Sequence, residues 1–300
     1  MSEVRCRVEG KELKLTNLEK VFWPAEGFTK ANLIDYYRQV ADWILPHLAG
    51  RPLVLRRFPD GIDGKTFYQQ KCPGYAPDWL PTVRIASGQE QVIYCTVKDM
   101  PSLLWVANQG CIEMHPWLAK TPFLDYPDLL VLDLDPPRGT SFTDLIRVAQ
   151  KVKEVLNEVG LKGYPKTSGS RGIHIYIPLE QCYQYWQVTK LAEVLARLTV
   201  QAMPAHTTVE HLIGKREGKI YIDYLQNGRG KTLASVYSLR PLPGAPVSIP
   251  LDWSELNDSL KPEVFSLSSV PKLLKDRGDL FEGVLRRPQR IDRLIKLLKL

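Results

Sequence analysis

Two carboxylates two residues apart close a short apolar run, Leu129 to Pro136, which reads Leu-Leu-Val-Leu-Asp-Leu-Asp-Pro. Its length and apolarity suit a buried strand. Side chains alternate along a strand, so Asp133 and Asp135 share one face with Val131, while Leu130, Leu132 and Leu134 take the other. Two acids so close repel each other unless a proton or a cation intervenes. Hard divalent ions with oxygen ligands meet that need and would serve phosphoryl or nucleotidyl transfer. The same residues also read as a strand end with two solvated acids. A second alternating run, Lys-Ile-Tyr-Ile-Asp-Tyr-Leu at 219–225, sets Ile220, Ile222 and Tyr224 on one face and Tyr221 with Asp223 on the other. An acid in so apolar a strand is costly without a partner, and Asp223 makes sense as a third metal ligand.

Other stretches suit an anionic ligand. Tyr164 to Pro178 begins with a turn of small residues, Thr-Ser-Gly-Ser-Arg-Gly, and continues as an alternating strand carrying His174. Gly169 and Gly172 allow backbone amides to crowd a ligand, Ser168 and Ser170 add hydroxyls, and Lys166 and Arg171 add charge. An ordinary hairpin turn accounts for the same residues. It is not a Walker A loop, because Gly-Lys-Ser/Thr before a helix is missing. Lys20 and Lys30 could bind a phosphate or be two solvated lysines. Phe67 and Tyr68, beside Lys65 and Lys71, suit stacking on a nucleic-acid base or burial in a core. His115 precedes Pro116-Trp117, where a lone histidine is more often structural than catalytic.

The elements that must position these residues follow from capping and periodicity. Thr29 caps an expected helix running to about Leu48, with Gly50 beyond it. Residues 53–58 read as a strand and 59–64 as a turn. A hairpin is expected around Ser87-Gly88, between strands at 83–85 and 91–97. Asp99 caps a helix to Asn108, and Ile112–His115 forms a short strand. Helices are expected over Phe142–Glu158 and Tyr185–Gln201. Strand, helix, strand from Leu129 onward suggests a βαβ-like unit with the acids at its start. A basic turn at 226–231 leads into an expected strand ending near Tyr237. From Arg286 to Leu300 the chain is basic and amphipathic, with Ile291, Leu294, Ile295 and Leu298 in register.

Bulk properties narrow the class. Three hundred residues at 44% hydrophobic and 24% charged describe a globular chain with ample core. The net charge of +7 leans toward a polyanionic partner. Five scattered cysteines, none in Cys-x-x-Cys, argue against a full disulfide framework. The N-terminus lacks the apolar core of a signal peptide, and no apolar run is long enough to span a membrane. The expectation is a soluble, cytoplasmic, nucleoid-associated protein with no membrane partner.

Taken in order, the motifs resemble a known family. From about Leu15 to about Leu285 the chain resembles the primase-like polymerase domain of bacterial DNA ligase D, of the archaeo-eukaryotic primase superfamily. The matching stretches are Leu-Thr-Asn-Leu-Glu-Lys-Val at 15–21, Arg-Phe-Pro-Asp-Gly at 57–61, Asp-Leu-Asp-Pro at 133–136 and Thr-Ser-Gly-Ser-Arg-Gly-Ile-His at 167–174. Asp-Tyr-Leu-Gln-Asn-Gly-Arg-Gly at 223–230 and Tyr-Ser-Leu-Arg-Pro at 237–241 also match. The resemblance implies a mixed α/β (α+β) primase-polymerase fold, with a central catalytic sheet flanked by helices and a second, smaller sheet. It implies one domain over residues 1–300, with DNA-contacting elements in 1–120 and the metal site in 121–300.

By that resemblance Asp133, Asp135 and Asp223 are the catalytic triad holding two divalent ions, Mn2+ or Mg2+. Ser168, Gly169, Arg171, His174 and Arg240 grip the incoming NTP or dNTP, with His115 near the nucleotide. Lys20 and Lys30 hold the 5′-phosphate of DNA at a gap or double-strand break, and Phe67 and Tyr68 support the template strand. Tyr68 stands where the family usually has a second phenylalanine, and Arg171 where lysine is common; ring and charge are kept. The implied activity is nucleotide addition to primer 3′ ends, ribonucleotides preferred, in gap filling during bacterial non-homologous end joining. A Ku-type end-binding protein and a DNA ligase are the implied partners. The chain carries no ligase or phosphoesterase motif, so the expectation is a standalone enzyme that recruits a ligase or an excised domain. A true primase starting chains de novo, a silent DNA-end-binding module and a metal-dependent nuclease are the competing readings.

Overall fold

The computed structural model of the chain describes residues 3–88 and 90–300. Met1 and Ser2 of the N-terminal reading, and Gln89 beside the expected Ser87-Gly88 turn, lie outside the described residues. The chain divides into two units. The first takes Met1–Trp117, Thr232–Ser248 and Glu263–Asp279; the second takes Leu118–Lys231, Ile249–Pro262 and Leu280–Leu300.

The first unit opens with a hairpin of β1 (Glu3–Val8) and β2 (Lys11–Thr16), then a small pair, β3 (Val21–Trp23) and β4 (Phe28–Thr29). Thr29 caps the next helix as expected: the Asn32 side-chain oxygen accepts from the Thr29 backbone N–H at 2.8 Å and from its hydroxyl at 3.0 Å. The single helix expected to Leu48 is instead two, α1 (Lys30–Gln39) and α2 (Ala41–Leu48), parted at Val40. Pro46 sits inside α2, where its missing N–H faces the Asp42 carbonyl, so it is accommodated within that helix and does not set the break at Val40.

A five-stranded sheet follows, built from β5 (Leu53–Arg57), β6 (Phe67–Gln69), β7 (Thr82–Ser87), β8 (Glu90–Cys95) and, after α3 (Met100–Asn108), β9 (Cys111–Pro116). β5 pairs antiparallel with both β6 and β9. Among the described residues β6 pairs with β5 alone, at the edge of the sheet. Asp99 caps α3 by accepting from the Ser102 N–H at 3.0 Å. Tyr37, fully buried on α1, donates its hydroxyl to the Ile112 carbonyl at 2.6 Å and ties α1 to β9. Cys72 and Cys95 are joined as a disulfide, while Cys6, Cys111 and Cys182 remain thiols. The strand expected before Tyr237 does not form. Residues 232–237 carry one bridge, Trp117 with Thr232, and Tyr237 sits at φ +61°, outside strand conformations.

The second unit is a five-stranded sheet with helices. β10 (Leu129–Asp135) leads through α4 (Phe142–Glu158) to β11 (Tyr164–Thr167), then β12 (Ile173–Pro178), α5 (Tyr185–Ala202), β13 (Thr207–Thr208) and β14 (Ile220–Asp223), in the order β11-β12-β10-β14-β13. β10 and β11 are each antiparallel to β12, hence parallel to each other with β12 between, which makes β10-α4-β11 a split βαβ unit. Leu130, Leu132 and Leu134 are wholly buried, each worth about 1.5–3 kcal/mol. That burial fixes which face of β10 is left for the acids. β14 stops at Asp223, so Tyr224 leaves the expected alternation and opens a 3-10 turn, Leu225–Asn227. Of the last helices, α6 (Val270–Arg277) belongs to the first unit, and α7 (Glu282–Arg286) and α8 (Asp292–Leu298) to the second. Ile291, at the start of α8, is buried and its N–H donates to the Tyr183 hydroxyl at 2.9 Å. Among the described residues no helix is long and apolar enough to cross a membrane.

Candidate active site

One row of side chains crosses four strands of the second unit's sheet. Lys166 on β11 is registered opposite His174 on β12, His174 opposite Asp133 on β10, and Asp133 opposite Asp223 on β14. Directly opposed residues of an antiparallel pair project to the same face. Asp135, two residues beyond Asp133, shares that face and stands opposite Tyr221. Register thus brings all three expected carboxylates to one face at one end of the sheet, with His174 beside them.

Each carboxylate is turned toward a protein donor. Asp133 Oδ1 lies 3.4 Å from His174 Nε2. Asp135 Oδ2 accepts from Arg216 Nη1 at 3.1 Å, and the same guanidinium lies over the Tyr221 ring at 4.0 Å. Asp223 accepts from the Tyr221 hydroxyl at 3.1 Å, the Leu225 N–H at 2.9 Å and Gln226 Nε2 at 2.9 Å. The Asp223 charge, after burial, pushes the Tyr221 phenol well up, so Tyr221 stays a donor.

Donor type and register fit divalent cations: three hard oxygen donors with few competing soft ligands. With the side chains turned as above, no three His, Cys, Asp or Glu groups among the described residues are gathered closely enough to hold an ion. Rotation of Asp135 and Asp223 away from their present partners is what binding would require.

Two features hold the row in place. β14 ends too early to pair with Val131, and the Asn227 side chain substitutes for it: Oδ1 accepts from the Val131 N–H at 2.8 Å and Nδ2 donates to the Val131 carbonyl at 2.7 Å. On the other side, a Cβ on Gly172 would sit 2.7 Å from the Leu134 carbonyl, so glycine is what lets the 168–172 turn close against β10. In that turn Ser168 Oγ accepts from the Ser170 N–H at 3.1 Å and the Gly172 N–H at 3.0 Å. Two of the amides expected to face a ligand are thus spent inside the turn. Gly169, at φ +70°, makes the reversal, and Arg171 is exposed.

The first unit carries a second polar cluster. Glu113 on β9, wholly buried, lies 3.0 Å from Arg56 Nη1, 3.0 Å from His115 Nε2 and 2.6 Å from Arg240 Nε. Burial works against its charge, yet His115, Arg240 and Arg56 hold its pKa down to about 2. Burial, aided by Arg240 and Arg56, pushes the His115 pKa down against the pull of Glu113. His115 is therefore neutral at pH 7, and its Nε2–H donates to the ionised Glu113. Arg56 also lies over the Phe58 and Tyr68 rings, at 5.2 and 5.3 Å. Phe67 and Tyr68, on the edge strand β6, are both exposed.

Lys20 and Lys30 are neighbours and neither is simply solvated. Lys20 Nζ donates to the Pro59 carbonyl and to Asp60. Lys30 is buried, donating to the Thr16 carbonyl at 2.7 Å. Its pKa is pushed down to about 8 by burial, then by the charges of Lys20 and Arg57.

Sequence reasoning passed over Glu113, Arg56, Arg216 and Asn227. Glu113 had a signal: Cys-Ile-Glu-Met-His sets an acid and a histidine two apart in an apolar strand, the spacing that drew attention to Asp133. Arg216 had none, since it lies in an irregular segment and its partner is chosen by tertiary structure.

A family model described as the LigD primase-polymerase domain matches residues 29–281. The chain is 35% identical over 283 residues to the bifunctional non-homologous end joining protein LigD of Bacillus subtilis (strain 168), covering 93% of this chain and 45% of that protein. It is 34% identical over 296 residues to the multifunctional non-homologous end joining DNA repair protein LigD of Mycobacterium tuberculosis (strain H37Rv), covering 95% of this chain and 39% of that one. The chain thus spans less than half the length of these relatives. The polymerase domain from Mycobacterium tuberculosis Ligase D, solved in complex with DNA, superposes with a TM-score of 0.85 at 34% identity over 92% of this chain and 99% of that one.

Proposed function

The chain belongs to the LigD primase-polymerase domain family and is a nucleotidyltransferase enzyme of it; on that premise we propose that it extends primer 3′ ends at DNA gaps and broken ends during bacterial non-homologous end joining. The supporting observation is the register that sets Asp133 opposite Asp223, with Asp135 on the same face. In the proposed reaction a primer 3′-hydroxyl attacks the α-phosphorus of a nucleoside triphosphate and pyrophosphate leaves.

Asp133, Asp135 and Asp223 would hold two divalent ions, manganese or magnesium. Such ions, when bound, lower the pKa of an attacking hydroxyl and offset phosphate charge. The chain's own residues do the rest. Arg240 and His115, and separately Ser168, Gly169, Arg171 and His174, bind the triphosphate and orient it. Neutral His115 serves as a hydrogen-bonding group, not a fixed charge. Lys20 and Lys30 take the 5′-phosphate at the far side of a gap, and Phe67 and Tyr68 stack on template bases.

DNA is the proposed macromolecular substrate; the similar polymerase domain was solved with it. Ribonucleotide preference, a cytoplasmic and nucleoid-associated setting, and cooperation with a Ku-type protein and a DNA ligase belong to the same reading. Primer extension on a 5′-phosphorylated gapped duplex, with ribo- or deoxynucleotides and manganese or magnesium, tests it. Growth of the primer is expected, fastest with ribonucleotides and manganese. Shortening of the primer, or no reaction under any combination, overturns it.

A further inference from the structure

We propose that Glu113 is the positioning residue of the nucleotide site: one buried carboxylate that holds Arg240, Arg56 and His115 as a single preformed set and so links the triphosphate grip to the aromatic seat at Tyr68. The inference rests on the reading of Arg240 and His115 as nucleotide contacts.

Glu113 is wholly buried, so it cannot touch a ligand and acts only through its partners. Its two oxygens are divided among them. Oε1 lies 2.6 Å from Arg240, and Oε2 lies 3.0 Å from both Arg56 and His115. One negative charge facing two guanidiniums, with the imidazole neutral, leaves the cluster with an excess positive charge. Such a cluster is ion-paired internally yet still attracts an anion.

An arginine left to find its ligand unaided gives up rotamer freedom on binding. Anchored beforehand on Glu113, Arg240 gives up less, and its guanidinium is already aimed. The second link runs outward. Arg56 lies 5.3 Å from the Tyr68 ring, and Tyr68 meets His115 edge-on at 5.6 Å. Tyr68 is 58% exposed, so the two inner partners of Glu113 form the floor beneath a ring open to solvent. Through these partners one carboxylate is tied both to Arg240 and to the groups beneath Tyr68.

The test is a double-mutant cycle in steady-state primer extension on the gapped duplex, with KM for the nucleotide and kcat read separately. Glu113→Gln is expected to raise KM about tenfold with kcat within about threefold. Glu113→Asp, which keeps the charge but withdraws it by one methylene, should fall between Gln and wild type. In an Arg240→Met background, the Glu113→Gln effect on KM should shrink, the remainder running through His115.

If thermal melts show Glu113→Gln unfolded at the assay temperature, Glu113→Asp takes its place in the cycle, where a raised KM supports the proposal and an unchanged KM overturns it. An undiminished Glu113 effect in the Arg240→Met background also overturns it, because the carboxylate would then act by a route other than the arginine. If Arg240→Met alone leaves KM unchanged, the nucleotide role of Arg240 fails, and the positioning role fails with it.

Discussion

Asp133 and Asp223 stand directly opposite each other across β10 and β14, two carboxylates on one face of a sheet with Asp135 beside them. Like charges so placed cost roughly 0.2–1 kcal/mol each, a strain that a bound cation would relieve. Asp133→Asn should therefore raise the metal-free melting temperature by about 1–3 °C. The same variant should lose nucleotide addition and keep DNA binding. Melts with and without manganese, with primer extension and fluorescence anisotropy alongside, check all three. Retained extension by the purified variant would remove Asp133 from the site.

Arg216 holds Asp135 with a fixed cation where a mobile one is proposed. Replacing it with methionine should destabilise the metal-free protein, less through the half-exposed Asp135 pair than through the lost bonds to the Glu210 and His211 carbonyls. Manganese affinity, measured by calorimetry, should tighten several-fold because the guanidinium no longer competes. Affinity that is unchanged or weaker would mean that Arg216 does not stand in the cation's way.

Lys30 titrates near neutrality. Its pKa of about 8 means that it carries charge below that pH and loses it above. The folded value lies below the unfolded one, so folding stability contributed by this group rises with pH above about 8. Anion binding runs the other way. The preference for a 5′-phosphorylated over an unphosphorylated gap should weaken as pH rises through about 8, and Lys30→Arg should carry it to higher pH. A preference ratio, read by anisotropy, that stays flat across this range would count against Lys30 as the phosphate ligand.

Glu113 makes the fold sensitive to acid. Its folded pKa of about 2 lies below the ordinary 4.5, so its contribution is complete above 4.5 and lost as pH falls through about 2. At pH 7 that contribution is on the order of 3 kcal/mol. Melting temperature should drop steeply on acidification in the wild type. Glu113→Gln should start lower at pH 7 and fall less. Parallel curves for the two proteins would assign the acid sensitivity elsewhere.

Local signals carried much of this architecture. Asp99 and Thr29 are side chains that can bond the first helical amides, so α3 and the start of α1 are legible from one residue each. The apolar stripe of α4 and the alternation of apolar and polar residue types along β12 and the end of β10 are equally explicit in the sequence. Pairing between distant strands is not a local property. Alternation told which face Asp133 and Asp223 occupy on their own strands, but nothing in either stretch states that those strands are neighbours; family resemblance supplied that expectation. The misread segments have particular causes. The helix parts at Val40 although its apolar stripe runs on unbroken, and the left-handed backbone at Tyr237 is chosen by its surroundings against the preference of an aromatic residue.

Asn227 is followed by Gly228, the dipeptide most prone to spontaneous loss of its side-chain amide through a cyclic imide. Here the chemistry is blocked at both ends. The carboxamide is held by Val131 and also donates to the Tyr224 carbonyl at 2.8 Å, and the Gly228 nitrogen that would attack it donates to the Leu225 carbonyl at 3.2 Å. Protection of this fragile bond thus depends on β10 staying in its sheet. Whenever this edge opens, ageing can turn Asn227 into an aspartate. The molecule would then lose the donor that meets the Val131 carbonyl and gain a negative charge against the strand that carries Asp133 and Asp135.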